Sequence, residues 1–328
     1  MTRDPPRRDL IVIGASAGGV QVLIDLARAL PYPFPGTVMI VQHIGAHRSV
    51  MPELLSSAGH NPARHPRQDE TLEPGVLYIA PPDHHMLVLD DRIRLTHDAK
   101  ENHARPAIDP LFRSAAISHG PRVIGTILSG RLDDGTAGLQ AIKACGGMAV
   151  VQDPGDAEEP GMPGSALAHV AVDHVVTRDT LASTLLALCA QPAPTPHPAP
   201  PRTLLCEHRL TLKEGHAMDQ LDEIGTRSQI TCPDCSGVLW EIKGARPARY
   251  RCHTGHAYTV RSLAHAQGAR TDDALWQALR AVREREGLLR DMARACAAQD
   301  AEEAARLAAE ADHASTHARE LQRIIAAD

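Results

Sequence analysis

Over roughly the first 190 residues, apolar positions fall into short continuous runs separated by stretches with helical spacing. Residues 9–14 (DLIVIG), 37–42 (TVMIVQ), 76–80 (VLYIA), 123–128 (VIGTIL) and 148–152 (MAVVQ) read as strands. Continuous rather than alternating apolarity is what a strand covered on both faces requires, as in a parallel sheet. Residues 20–30, 48–58, 107–119 and 138–144 read as helices. Strand and helix in alternation predict a doubly wound, mostly parallel, Rossmann-like α/β domain. Residues 86–89 and 92–95, joined by Asp90-Asp91, predict a hairpin.

The pattern then breaks. Residues 191–201, QPAPTPHPAPP, carry six prolines in eleven positions and read as a semi-rigid extended linker. Beyond it lies a Cys/His cluster at 232–256, followed by two helical seams. The first seam is Leu275, Leu279, Val282, Leu289 and Cys296. The second, Leu307, Ala311, Ala314, Ala318, Leu321 and Ile325, steps by four and three, as packed helices do. Asp300 and Glu303 read as an N-cap and its capping-box partner between them. The expected organisation is a domain over 1–190, a linker over 191–202, a small module over 203–265 and an antiparallel helical hairpin over 266–328.

Composition narrows the class. Of 328 residues, 43% are hydrophobic but only 2% aromatic, so the core must be aliphatic. A formal charge of −6 argues against a nucleic-acid partner, which needs a basic face. No run approaches the roughly 18 apolar residues of a membrane span, and the first eight residues lack the apolar stretch of a signal peptide. A cytoplasmic chain without membrane insertion is expected. Seven cysteines, an odd and scattered set, argue against a disulfide framework.

The first strand runs into Gly14-Ala15-Ser16-Ala17-Gly18-Gly19. Such a turn either cradles a phosphate at a helix N-terminus or exposes a serine. The dinucleotide fingerprint is only partly met: Ser16 stands at the second glycine, and the second strand ends in Val41-Gln42-His43 rather than in the carboxylate a ribose needs. Gly14-x-Ser16-x-Gly18 does fit a nucleophile turn, with backbone amides at hand for an oxyanion. His43 ends the second strand, and Asp133 and Asp134 follow the strand at 123–128. In a parallel sheet these ends share one edge, so a serine, a base and one of two carboxylates converge there. Nothing local chooses between Asp133 and Asp134.

The ordered blocks IVIGASAGG, VMIVQHI, GVLYIAPPDHHM, RPAIDPLFRSAA, GTILSGRLDDGTAG and VVQDPGDAEEPGMPGSA resemble CheB-type protein-glutamate methylesterases over about residues 9–185. The resemblance implies a doubly wound catalytic domain that hydrolyses glutamyl methyl esters on chemoreceptor helices, in some members also deamidating glutamines. It implies Ser16 as nucleophile, His43 as base and Asp134 as orienting carboxylate, with the Ala17 and Arg131 amides as oxyanion donors and no cofactor for catalysis. Methylated chemoreceptors, and proteins of the chemosensory array, are the implied partners. Three departures stand out. The first strand begins too early for the receiver domain many members carry, so a standalone form is expected. Ala17 replaces a frequent Thr, and Pro160 replaces a common aromatic. The alternative is a catalytically silent interaction module in a chemosensory complex. In the same blocks, His84 and His85 read as surface-loop residues, and Arg105 and Arg113 as solvated arginines, with contact to receptor carboxylates as the sharper reading.

Cys232-x-x-Cys235 followed by Cys252 and His256 has the spacing of a Cys₃His zinc ribbon. His253 is the other candidate for the fourth position, but its adjacency to Cys252 makes its reach harder. Four protein ligands would make the zinc structural.

Overall fold

The computed structural model describes residues 6–44 and 48–327; part of the N-terminal stretch read as lacking a signal peptide lies outside the described residues. β1 (Leu10–Ala15) and β2 (Thr37–Gln42) are buried at every position, which is why they read as unbroken apolar runs. Between them α1 (Gly19–Ala29) turns Val22, Leu23, Leu26 and Ala27 inward. After α2 (Met51–Ala58) come two short strands, β3 (Ala63–Arg64) and β4 (Leu77–Ile79). The hairpin forms as β5 (His85–Leu89) and β6 (Arg92–Thr96), with Val88 opposite Ile93. α3 (Ile108–His119) follows and is buried along most of its length. β7 (Val123–Ile127), α4 (Thr136–Ala144), β8 (Met148–Gln152), α5 (Gly161–His169), β9 (His174–Val176) and α6 (Arg178–Cys189) complete the alternation.

The seven core strands form one sheet of order β3-β4-β2-β1-β7-β8-β9, and each neighbouring pair is parallel. The pleat divides the core into two. Val12, Met39 and Val41 pack with Leu111 and Phe112 of α3 and Leu139 of α4. Ile11, Ile13, Val38 and Ile40 pack with Leu23 and Leu26 of α1 and Leu181 and Leu185 of α6. Successive strands leave β1 in one direction through β2 and in the other through β7. The switch in strand order therefore lies at β1, and the crevice at its carboxyl end is where open α/β sheets bind ligands.

The proline-rich segment is anchored to the chain's beginning: Ala193 N donates to Pro6 O at 2.6 Å and Arg8 to Pro192 O at 2.7 Å. Next come α7 (Arg202–Thr211), α8 (Ala217–Ile224) and a four-stranded antiparallel sheet, β10 (Gly225–Thr231), β11 (Val238–Ile242), β12 (Arg249–Cys252) and β13 (Ala257–Thr259). Cys206, Leu210, Leu221, Ile224, Trp240 and Ile242 form their shared core. Residues 1–263 make one compact unit and 264–328 a second. α9 (Val260–Cys296) starts six residues before the helix boundary expected at 266, and α10 (Ala301–Ile325) follows it. In the second unit Leu289 packs with Leu307 and Ala311, and Asp300 caps α10 by accepting from Glu303 N at 2.9 Å. Among the described residues no helix is long and apolar enough to cross a membrane.

Candidate active site

Ser16 leaves β1 at the switch point and is held by its backbone. Its N–H donates to Ser129 O at 2.9 Å, and its carbonyl accepts from Gln42 Nε2 at 2.9 Å and Gly19 N at 3.0 Å. Gly18 permits the turn into α1, with φ of +77°. Gly130 permits the approach of the neighbouring loop: a Cβ there would lie 2.8 Å from the Ser16 Cβ and 2.1 Å from Met162 Sδ.

His43 is the residue after β2, and its N–H donates to Ala15 O at 3.1 Å. Its Nδ1 lies 3.2 Å from Ser16 Oγ and its Nε2 lies 2.9 Å from Asp134 Oδ2. The ring is thus used the opposite way round from the chymotrypsin arrangement, where Nε2 faces the serine. An ionised Asp134 accepts from Nε2–H, which leaves the Nδ1 lone pair facing the hydroxyl.

Asp134 is buried and saturated with donors. Besides His43, Oδ2 accepts from Ile108 N at 2.8 Å; Oδ1 accepts from Asn102 Nδ2 at 2.9 Å, Gly135 N at 2.9 Å and Asp109 N at 3.3 Å. Ile108 and Asp109 open α3, so the carboxylate also sits at a helix N-terminus. Burial pushes its pKa up, but the bonds from His43, Ile108 and Asn102 outweigh it and hold Asp134 below the usual carboxylate range. Asp109, also buried, goes the other way: burial and the charge of Asp134 raise it. Of the two, which share the Asn102 NH₂, Asp134 ionises the more readily.

The structure separates the two aspartates that spacing alone left open, and Asp134, the one the resemblance implies, is the one that meets His43. Asp133 turns away and accepts from Thr259 Oγ1 at 2.6 Å. Burial, aided by Asp134, raises its pKa, and its Oδ2 is buried without a hydrogen-bond partner. Among the described residues, neither the Ala17 nor the Arg131 backbone amide donates to a protein acceptor, while the Arg131 side chain pairs with Glu159 at 2.8 Å. Beside His43 opens a cleft of about 270 Å³, lined also by Asp83, Lys100, His103, Ala104, Arg105 and Pro106.

Two sequence readings are overturned. His85 is not on a surface loop: it is 1% exposed in β5, where its ring meets Ala99 O at 3.0 Å and accepts from Ala107 N at 3.2 Å. Burial lowers its pKa and keeps it neutral. Arg113 is not solvated: it is 3% exposed and forks onto Glu101 at 2.7 and 3.2 Å, out of reach of any partner protein. Arg105 is taken up by Asp83, at 2.7 Å. The sequence reading missed Asn102, Glu101 and the α3 amides, none of which carries a local motif.

In the C-terminal sheet the Sγ atoms of Cys232, Cys235 and Cys252 and one ring nitrogen of His256 all lie within 4.8 Å of one another. His253 is not part of this group. Cys235 and Cys252 sulfurs are 3.7 Å apart, and Cys252 Sγ is 3.5 Å from His256 Nδ1. A tetrahedron with Zn–S of about 2.3 Å and Zn–N of about 2.0 Å has edges of about 3.8 and 3.6 Å. The donor set and its spacing therefore fit zinc.

A parallel doubly wound sheet with serine, histidine and aspartate in hydrogen-bond contact at its switch point defines the arrangement of a serine hydrolase. The sequence model of the CheB methylesterase family matches residues 11–185, and the chain belongs to that family. A Leptospira interrogans protein, provisionally named protein-glutamate methylesterase/protein-glutamine glutaminase, is 36% identical over 182 residues, 55% of this chain and 94% of that one. An Anaeromyxobacter dehalogenans protein named protein-glutamate methylesterase/protein-glutamine glutaminase 3 is 38% identical over 185 residues, 56% of this chain and 54% of its own length. Among solved structures, the catalytic domain of Thermotoga maritima CheB methylesterase superposes with a TM-score of 0.53 at 29% identity, covering 55% of this chain and 98% of that domain. All of the seven-stranded sheet but Leu10 at the start of β1 lies within residues 11–185; β10–β13 and the two long helices follow in sequence.

Proposed function

We propose that this chain hydrolyses glutamyl methyl esters on the cytoplasmic helices of chemoreceptors, and deamidates receptor glutamines at the same site. The observation that carries the reading is the Ser16–His43–Asp134 contact at the switch point of a CheB-family sheet. His43 Nδ1 takes the proton of Ser16 Oγ as that oxygen attacks the ester carbonyl. The oxyanion is stabilised by the Ala17 and Arg131 amides. His43 then protonates the departing methoxide, methanol leaves, and water attacks the γ-glutamyl ester of Ser16 with His43 again as base. Glutamate is released and Ser16 regains its proton. Asp134 holds the ring with Nε2–H toward itself and stabilises the imidazolium. A glutamine amide follows the same steps with ammonia as leaving group.

The test is methanol release from a methylated chemoreceptor in native membranes, incubated with the full chain. Release in step with loss of receptor methyl ester supports the reading. A folded chain that binds the receptor and releases none belongs to the silent-module alternative. The work of such an enzyme lies in the cytoplasm, beside those helices.

Cys232, Cys235, Cys252 and His256 are proposed to hold a structural zinc, which would take no part in the chemistry because all four positions are filled by protein. Elemental analysis of the purified chain should find one zinc per polypeptide, and none after Cys232→Ser with Cys235→Ser. A metal-free chain of unchanged thermal stability would exclude the site.

A further inference from the structure

Asn102 joins two parts of the first unit. Its Nδ2 donates to Asp134 Oδ1 at 2.9 Å and to Asp109 Oδ2 at 3.0 Å. Its Oδ1 accepts from Thr259 N at 3.0 Å and from Ser262 Oγ at 3.0 Å. Both hydrogens and both lone pairs of the amide are thereby engaged. The orientation of the amide is dictated, because the reverse flip would set its oxygen against two carboxyl groups and its NH₂ against a backbone N–H. The backbone of Asn102 is tied as well: its N–H donates to Ala257 O at 2.7 Å, and its φ of +50° is one that asparagine tolerates.

The donors on the far side come from β13 and the first turn of α9, just after the Cys252–His256 turn. They lie beyond the family match, which ends at residue 185. Thr259 and Ser262 are each 1% exposed, so bulk water does not compete for these bonds. The same segment reaches the loop that carries Asp134 a second time, through Thr259 Oγ1 on Asp133.

We propose that the Cys/His sheet is a positioning element of the active site: Thr259 and Ser262 clamp Asn102, and Asn102 holds Asp134 behind His43. The inference rests on Ser16 being the nucleophile. Removing the clamp leaves the Asn102 amide free to turn, takes a donor from Asp134 and loosens the imidazole. With one donor fewer, Asp134 holds the shared Nε2 proton more strongly, so the protonated triad persists to higher pH and the acid limb of the rate profile moves up.

The experiment is the rate of Ser16 labelling by a fluorophosphonate probe on the full chain, with kinact and KI measured separately across pH. Ser262→Ala should lower kinact about 5-fold and Asn102→Ala about 50-fold, with KI unchanged and the acid limb shifted upward in both. Asn102→Ser replaces the alanine variant if that one does not fold. The double variant should be no slower than the Asn102 variant alone, because Ser262 acts through it. Labelling of Ser262→Ala at the unmodified rate, or a further loss in the double variant, overturns the proposal. A folded unmodified chain that is not labelled at Ser16 removes the nucleophile reading instead, and this one with it.

Discussion

Alanine in place of Ser16 is expected to lower kcat for ester hydrolysis by about five to six orders of magnitude and to leave the fold intact. The two effects separate because of how Ser16 is held. Its place in the turn is set by its own N–H and C=O, bonded to Ser129, Gln42 and Gly19, and not by the hydroxyl. The Oγ contacts His43. Its removal should therefore change unfolding free energy by about 0.5 kcal/mol or less, as at sites without a structural bond. The oxyanion amides remain and account for what activity is left. Asp134→Asn is the instructive contrast. Its NH₂ would face either the Ile108 N–H and His43 or the three donors now on Oδ1. If it faces His43, it forces the tautomer with Nδ1–H toward Ser16, which then has no base. A smaller loss, about three to four orders of magnitude, is expected together with a measurable loss of stability. Methanol release and urea unfolding on the same preparations distinguish the two variants. Ser16→Ala with more than about one hundredth of the unmodified rate is incompatible with a serine nucleophile.

The central strands could be read along the chain because parallel strands covered on both faces carry no polar alternation to blur them. β3 and β9, with two and three residues, are too short to show a period. α5 hid behind Gly161, Pro163 and Gly164, residues that intrinsic propensity places outside helices. Ser16 and His43 were legible because each sits where a readable strand ends. Spacing alone did not separate Asp133 from Asp134, since the choice depends on which side chain turns toward β2 and which toward β13; only the resemblance to the family's motif pointed to Asp134. Asn102, Glu101 and the burial of Arg113 were out of reach for one reason. Each cluster is closed by a partner distant in sequence: Glu101 meets Arg251 at a separation of 150 residues, Asn102 meets Ser262 at 160, and Arg113 meets Thr211 at 98. Charge alone argued for a solvated Arg113, and only the tertiary pairing explains its burial.

Glu101→Gln is expected to cost about 3–5 kcal/mol of unfolding free energy, whereas Arg251→Met should cost about 1 kcal/mol or less. Glu101 is 3% exposed and accepts from the fork of Arg113, from Arg251 and from Thr211 Oγ1 at 3.4 Å. Burial alone would raise its pKa, but the charges of Arg113 and Arg251 hold it well below the usual range. An isosteric amide there removes the charge that two buried guanidiniums share and turns an NH₂ toward one of them. Arg251→Met leaves each remaining charge with a partner: Glu101 keeps Arg113, and Glu207 keeps Arg249 in a fork of 2.9 and 2.9 Å. The Nε of Arg251 makes no hydrogen bond and lies 3.6 Å from Glu207 Oε1, so exchanging this side chain for an apolar one of similar reach gives up little there. Set against a total of about 5–15 kcal/mol for a typical domain, the Glu101 loss is large. Because Glu101 directly precedes Asn102, Glu101→Gln should also slow labelling of Ser16 in the fraction that stays folded, and Arg251→Met should not. Equal urea midpoints for the two variants would mean that Glu101 does not join the two halves of this cluster.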